Sequence, residues 1–293
     1  METAAPRTQV SNYLSLVTFS HTIFALPFAI IGFLLAVRFG DYTFSWKLFL
    51  LVLGCMISAR SAAMAFNRYI DRDIDAKNAR TATREIPAGI ITPKNALWFV
   101  ILTSLAFVAC TWFINRRCFY LSPVALAVIL GYSLTKRFTA LCHLVLGVGL
   151  ALAPIGAWLA VTGVFAWLPL LFSFAVLCWV SGFDMIYALQ DESFDREHKL
   201  NSMPVLLGKK GALRLSEVLH VCAAVFIWLP VYTQHFGVWY WIGASLFSGL
   251  LVYQHTLVKP DDLSKVNRAF FTTNGIASVV FAVFVVLELF WPL

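Results

Sequence analysis

WKLFLLVLGCMISARSAAMAFNRYIDRDIDAKNARTATREIPAG, residues 46–89, carries an apolar run of membrane-crossing length straight into a segment dense in acid and base. A helix needs about 20 apolar residues to cross the hydrocarbon core, and residues 46–67 supply them. Comparable runs occur at 16–37, 96–114, 119–134, 141–163, 168–189, 212–234, 239–258 and 270–290, the one at 119–134 being the shortest. Backbone polar groups at membrane depth must be satisfied within their own segment. The expected fold is all-α, a polytopic membrane bundle of about nine transmembrane helices, with residues 1–293 forming one domain.

Composition agrees. Only 13% of the residues are charged and 60% are hydrophobic, whereas a soluble domain carries about 25% charge. The mean hydropathy is +0.79. Six cysteines stand singly, with no CxxC spacing that would indicate zinc or a disulfide framework, and read as small buried hydrophobes. METAAPRTQVSNYLS, at the N-terminus, lacks a basic n-region, so the first apolar run reads as a retained span and not a signal peptide. The net charge of +7 resides in short loops with no nucleic-acid-reading module. It bears on the lipid bilayer and on phosphorylated substrates; no nucleic acid is expected as a partner. With the N-terminus inside, 17 Lys and Arg fall in cytoplasmic segments against four outside, and Arg60 lies within a span. That imbalance expects both long polar segments, 71–95 and 190–211, on the cytoplasmic side of a bacterial inner membrane.

Asn67, Asp71 and Asp75 recur every four residues and so share one helical face. Two carboxylates one turn apart near hydrocarbon repel each other unless a cation joins them. Oxygen donors favour Mg²⁺, which keeps waters and is completed by substrate phosphates. Arg80 and Arg84 follow, again four apart, and guanidinium forks match phosphate oxygens. A solvated helix terminus of mixed charge is the alternative, and suits Arg72 and Asp73.

SGFDMIYALQDESFDREHKLNSMP, residues 181–204, repeats the pattern. Asp191 and Asp195 are four apart, Asp184 lies seven before Asp191, and Tyr187 stands between. Two such acidic helix ends on one side of a membrane suggest a diphosphate clamped by Mg²⁺. Asp184, set deeper, suits a base or a cation stabiliser. Tyr132 and Lys136 are one turn apart in GYSLTKR, residues 131–137; they bind diphosphate or form an interfacial tyrosine with a snorkelling lysine. Arg60, about two turns inside its span, sits where a charge costs ~2.5 kcal/mol or more, and is assigned to an acceptor carboxylate rather than to a structural ion pair. His21 reads as a satisfied helix histidine, and Pro27 and Pro154 as helix kinks that make room for a lipid chain.

HTIFALPFA (21–29), the 60–89 segment, GYSLTKR and DMIYALQDESFD (184–195) together resemble the UbiA-type family of intramembrane aromatic prenyltransferases. The nearest subgroup is that of 4-hydroxybenzoate polyprenyltransferases and their relatives. The resemblance implies a nine-helix bundle around a central cavity open to the cytoplasmic side, with a lateral route for the prenyl chain. By motif position, Asn67, Asp71, Asp75, Asp191 and Asp195 match the Mg²⁺-binding residues, and Asp184 the further acidic position. Arg80, Arg84, Tyr132 and Lys136 match diphosphate-binding positions, and Arg60 one beside the bound acid. YALQDESFD departs from the family's more acidic form and leaves the metal positions intact.

The implied reaction ionises a polyprenyl diphosphate and attaches the prenyl group to a ring carbon of an aromatic carboxylic acid. The ring proton passes to Asp184, a water or the diphosphate. The expected acid is 4-hydroxybenzoate, for respiratory quinone biosynthesis, with 1,4-dihydroxy-6-naphthoate (menaquinone) as the alternative. A cation-coupled transporter is the rival from another class. It accounts for charges at helix ends but not for two DxxxD faces backed by phosphate-type arginines.

Overall fold

A computed structural model describes residues 9–17 and 24–292. Apart from one isolated bridge, Lys259 to Asp262, the regular structure among them is helical. The elements are α1 (Gln9–Leu16), α2 (Leu26–Phe39), α3 (Trp46–Ile70), α4 (Arg72–Asp75), α5 (Pro93–Ile114), α6 (Arg116–Thr135) and α7 (Cys142–Thr162). They continue with α8 (Trp167–Ala188), α9 (Glu192–Glu197), α10 (Met203–Gln234), α11 (Val238–Leu257) and α12 (Asn274–Phe290). A 3-10 turn, Leu189–Asp191, joins α8 to α9, and a π-turn, Arg268–Thr273, leads into α12.

Seven of the described helices are long and apolar enough to cross a membrane: α3, α5, α6, α7, α8 running on through α9, α10, and the π-turn with α12. The two other expected runs coincide with α2, which spans 14 residues, and α11, whose Trp, Tyr, Ser, Gln and His lower its apolarity. The expected fourth run is not short: α6 has 20 residues. Asn115 explains this, because its Oδ1 accepts from Cys118 N (2.9 Å) and starts the helix ahead of the charged pair Arg116–Arg117. Asn115 Nδ2 also donates to Leu159 O (2.9 Å), tying the tight α5–α6 corner to α7.

Pro27 does not kink a helix; it occupies the first turn of α2, where a missing N–H costs nothing. Pro154 does lie inside α7. There α2 crosses so closely that a Cβ on Gly32 would sit 2.2 Å from Pro154 O, so the glycine is what permits the approach. His21 lies outside the described residues.

The core is aromatic. Phe28, Phe172, Trp179, Phe247 and Phe281 of α2, α8, α11 and α12 are almost wholly buried and meet at tilted and edge-to-face angles. Trp179 Nε1 donates to Asn274 Oδ1 (2.8 Å), so its one polar atom is satisfied. Glu288 of α12 is buried because it caps α11, accepting from Gly237 N (2.6 Å) and Tyr240 N (3.2 Å). On α5, by contrast, Trp98, Leu102, Leu105, Trp112 and Phe113 are exposed, as a lipid-facing wall requires.

Candidate active site

Both acidic pairs straddle a break in a helix. α3 ends at Ile70 and Asp71 turns the chain at φ −92°, ψ 4°, before the single turn of α4. α8 ends at Ala188, and Asp191 turns the chain at φ −100°, ψ 1°, before α9. The two first aspartates thus share one bridge-region conformation. The spacing of four survives as an Asp75 N to Asp71 O bond of 2.7 Å.

Loop 76–92 then folds back and joins the two ends. Arg80 donates from Nε and Nη2 to Asp191 (3.1 and 2.6 Å) and from Nη1 to Tyr187 Oη (3.1 Å). Asn78 Nδ2 adds a bond to Asp191 Oδ1 (3.1 Å). Arg84 Nη1 spans both oxygens of Asp75 (2.7 and 2.8 Å). From the end of α6, Lys136 pairs with Asp195 (2.7 Å), whose side chain is 1% exposed, while Arg137 pairs with Asp71 (2.8 Å). Asn67 Nδ2 donates to the other oxygen of Asp71 (3.1 Å). Each of the four carboxylates therefore has its own cation.

Burial sets the electrostatics of these groups. It pushes the Asp75 carboxyl up to about 6, and raises Asp71 in spite of Arg137, Lys136 and Asn67. Burial also works against the charges of Arg80 and Lys136, but Asp191 and Asp195 outweigh it and hold both above their ordinary ranges.

The donors that Mg²⁺ would meet are carboxylate and amide oxygens, the set a hard cation takes. Among the described residues no three His, Cys, Asp or Glu side chains form a protein-only cage. Spread pairs suit Mg²⁺, which takes one or two carboxylates and is completed by substrate phosphates.

Next to this polar end lies a cavity of about 330 Å³ between α3, α5, α6 and α7, walled mainly by Ala, Leu, Ile, Val and Gly. Arg60 and Tyr132 are both in its wall, and Arg60 Nε is buried without a hydrogen-bond partner. The expected Tyr132–Lys136 pair is thus divided: Tyr132 faces the cavity and Lys136 holds Asp195. Asp184 joins neither group of ion pairs; its Oδ2 lies 2.7 Å from His143 Nδ1.

Arg137, Asn78 and His143 were not among the expected site residues. Arg137 carried a signal, its place beside Lys136. Asn78 and His143 carried none, because their partners lie 113 and 41 residues away.

Known proteins are similar to this chain in sequence and fold. The 4-hydroxybenzoate octaprenyltransferase of Tolumonas auensis is 30% identical over 238 residues, 81% of this chain and 83% of that protein. The enzyme of the same name from Francisella tularensis subsp. mediasiatica is 30% identical over 79% of this chain and 81% of its own length. The apo structure of a UbiA homolog from Aeropyrum pernix K1 superposes with a TM-score of 0.82 at 32% identity, covering 92% of this chain and 98% of that one. An Archaeoglobus fulgidus homolog bound to GPP and Mg²⁺ shares the fold at 19% identity, with a TM-score of 0.75 over 95% of this chain and 99% of that one. Residues 25–276 match the model of the UbiA prenyltransferase family, and with two acidic helix ends joined above an apolar cavity in a multi-pass membrane bundle, the chain belongs to that family.

Proposed function

We propose that this chain transfers a polyprenyl group from polyprenyl diphosphate to a ring carbon of 4-hydroxybenzoate, for respiratory quinone biosynthesis, from the cytoplasmic face of the inner membrane. The observation that carries the reading is the bridge from Arg80 and Asn78 to Asp191, which draws both acidic ends to one place beside the apolar cavity. The names of the 30%-identical relatives support the acceptor and the long prenyl donor.

Asn67, Asp71, Asp75, Asp191 and Asp195 would hold Mg²⁺, which when bound neutralises the charge of a diphosphate. Arg80, Arg84 and Lys136 stand where charge develops on that leaving group as the allylic C–O bond breaks, and fixed charges in a dry site act there most strongly. Tyr132 adds a hydrogen bond at the junction of the polar end and the cavity. The cavity takes the prenyl chain and excludes water from the cation it becomes. Arg60, with an unused buried Nε, receives the carboxylate of the acid and turns the carbon beside the phenol towards that cation. Asp184 is assigned to the ring proton.

Membranes containing the protein are supplied with Mg²⁺, a polyprenyl diphosphate and either 4-hydroxybenzoate or 1,4-dihydroxy-6-naphthoate, and products are identified by mass. Prenylated 4-hydroxybenzoate with pyrophosphate release is expected. Product on the naphthoate alone would reassign the acceptor, and no pyrophosphate with either acid would overturn the reaction. Asp71→Ala and Asp191→Ala should stop turnover in protein that remains folded in detergent.

A further inference from the structure

His143, the second residue of α7, is 3% exposed and uses both ring nitrogens. Nδ1 lies 2.7 Å from Asp184 Oδ2, and Nε2 lies 3.3 Å from the backbone nitrogen of Met203 at the start of α10. A backbone N–H can only donate, so Nε2 keeps its lone pair and the ring proton is on Nδ1, directed at Asp184. One tautomer is thereby selected. On α8, Asp184 lies three residues before Tyr187, whose hydroxyl accepts from Arg80.

The segment that fixes His143 is itself docked on the second acidic end. Leu200 N bonds Asp195 O (2.8 Å), Asn201 N bonds Lys136 O (2.8 Å), and Cys142 Sγ reaches Asn201 O (3.6 Å). Two residues later the chain presents Met203 N–H to the imidazole. Closure of Lys136 on Asp195 and orientation of the ring are therefore parts of one connected set of bonds.

We propose that His143 is a positioning residue for the reaction, locking the Asp184 carboxylate through Nδ1–H so that its other oxygen faces the acceptor ring. The proposal rests on the reading of Asp184 as the group nearest the ring proton. Partners of this kind commonly affect activity by about 10- to 100-fold. A mere packing role for a buried ring would instead be met by any planar side chain of similar size.

Two measurements test it. In the first, His143→Phe should lower kcat about 10- to 100-fold, with little change in KM for either substrate, and His143→Asn, which can still donate from the Nδ1 position, should restore most of it. Asp184→Asn combined with His143→Phe should be no slower than Asp184→Asn alone. Unchanged kcat in His143→Phe, an equal loss in folded His143→Asn, or fully additive losses would overturn the proposal. In the second, ¹⁵N-histidine spectra of the whole protein in detergent should show an Nδ1–H tautomer for the signal missing in His143→Phe. That signature should change in Asp184→Leu. A doubly protonated ring, an Nε2–H tautomer or insensitivity to Asp184→Leu would overturn the proposal. This readout needs no substrate, so it fails separately from the assignment of the reaction.

Discussion

Arg80 holds Asp191 with two arms of its guanidinium, Nε to Oδ1 at 3.1 Å and Nη2 to Oδ2 at 2.6 Å, across 111 residues of sequence. Its third arm touches Tyr187 Oη, over whose ring it lies at 5.3 Å. This one residue organises the contact between the two acidic helix ends.

Lysine at position 80 would keep the charge and lose the fork. Arg80→Lys should therefore retain much less than a tenth of wild-type turnover, and Arg80→Ala about 10²- to 10³-fold less than wild type. Pyrophosphate release under saturating Mg²⁺ is the measurement, and wild-type rates in Arg80→Lys would show that point charge suffices.

Lys136 and Asp195 separate stability from activity. Lys136→Met leaves a buried carboxylate without its cation and should cost about 3 kcal/mol. Lys136→Met with Asp195→Asn removes both charges and should regain most of that thermal stability in detergent while remaining inactive. An unchanged melting temperature in Lys136→Met would mean that Asp195 finds another partner.

Gly156 lines the cavity, and a Cβ placed on it meets nothing within 4 Å. Gly156→Phe should fold normally, with a helix-propensity gain of about 0.5 kcal/mol over glycine, and should shift the accepted diphosphate towards shorter prenyl chains. Competition between a long and a short diphosphate reads the shift; an unaltered product ratio would place the prenyl chain elsewhere.

Glu288→Gln weakens the cap on α11. Gly237 N donates to Oε1 and Tyr240 N to Oε2, so glutamine can accept only one of these bonds and turns an N–H donor towards the other. A charged hydrogen bond contributes about 1.5–3 kcal/mol. A lower melting temperature with unchanged activity per folded molecule is expected, measured by thermal unfolding against activity.

The acid and base positions were legible in the sequence because helical spacing alone puts Asn67, Asp71 and Asp75 together, and because carboxylates near hydrocarbon need a reason to be there. Their pairing was not legible. Arg84 turns back nine residues to Asp75 while Arg80, one turn earlier, crosses to another helix. That choice depends on the course of loop 76–92, which no periodicity encodes. The length of α6 was hidden by the charges of Arg116 and Arg117, and the role of Pro27 by its nearness to a helix start that apolar runs do not mark. His143 was hidden because a lone histidine in an apolar run has no distinguishing pattern until its partner helix is placed.

Asp71, Asp75, Asp191 and Asp195 are each matched with one cation, Arg137, Arg84, Arg80 and Lys136 in turn. A bare phosphate must pull a guanidinium from its carboxylate, and a bare divalent ion must do the reverse. Each alone strands the opposite charge in a poorly solvated place. In the proposed reaction, the two arriving together would each take up what the other displaces, and so would bind with positive thermodynamic coupling. On the proposed function, these pairs would favour a diphosphate carrying its magnesium over either ligand alone.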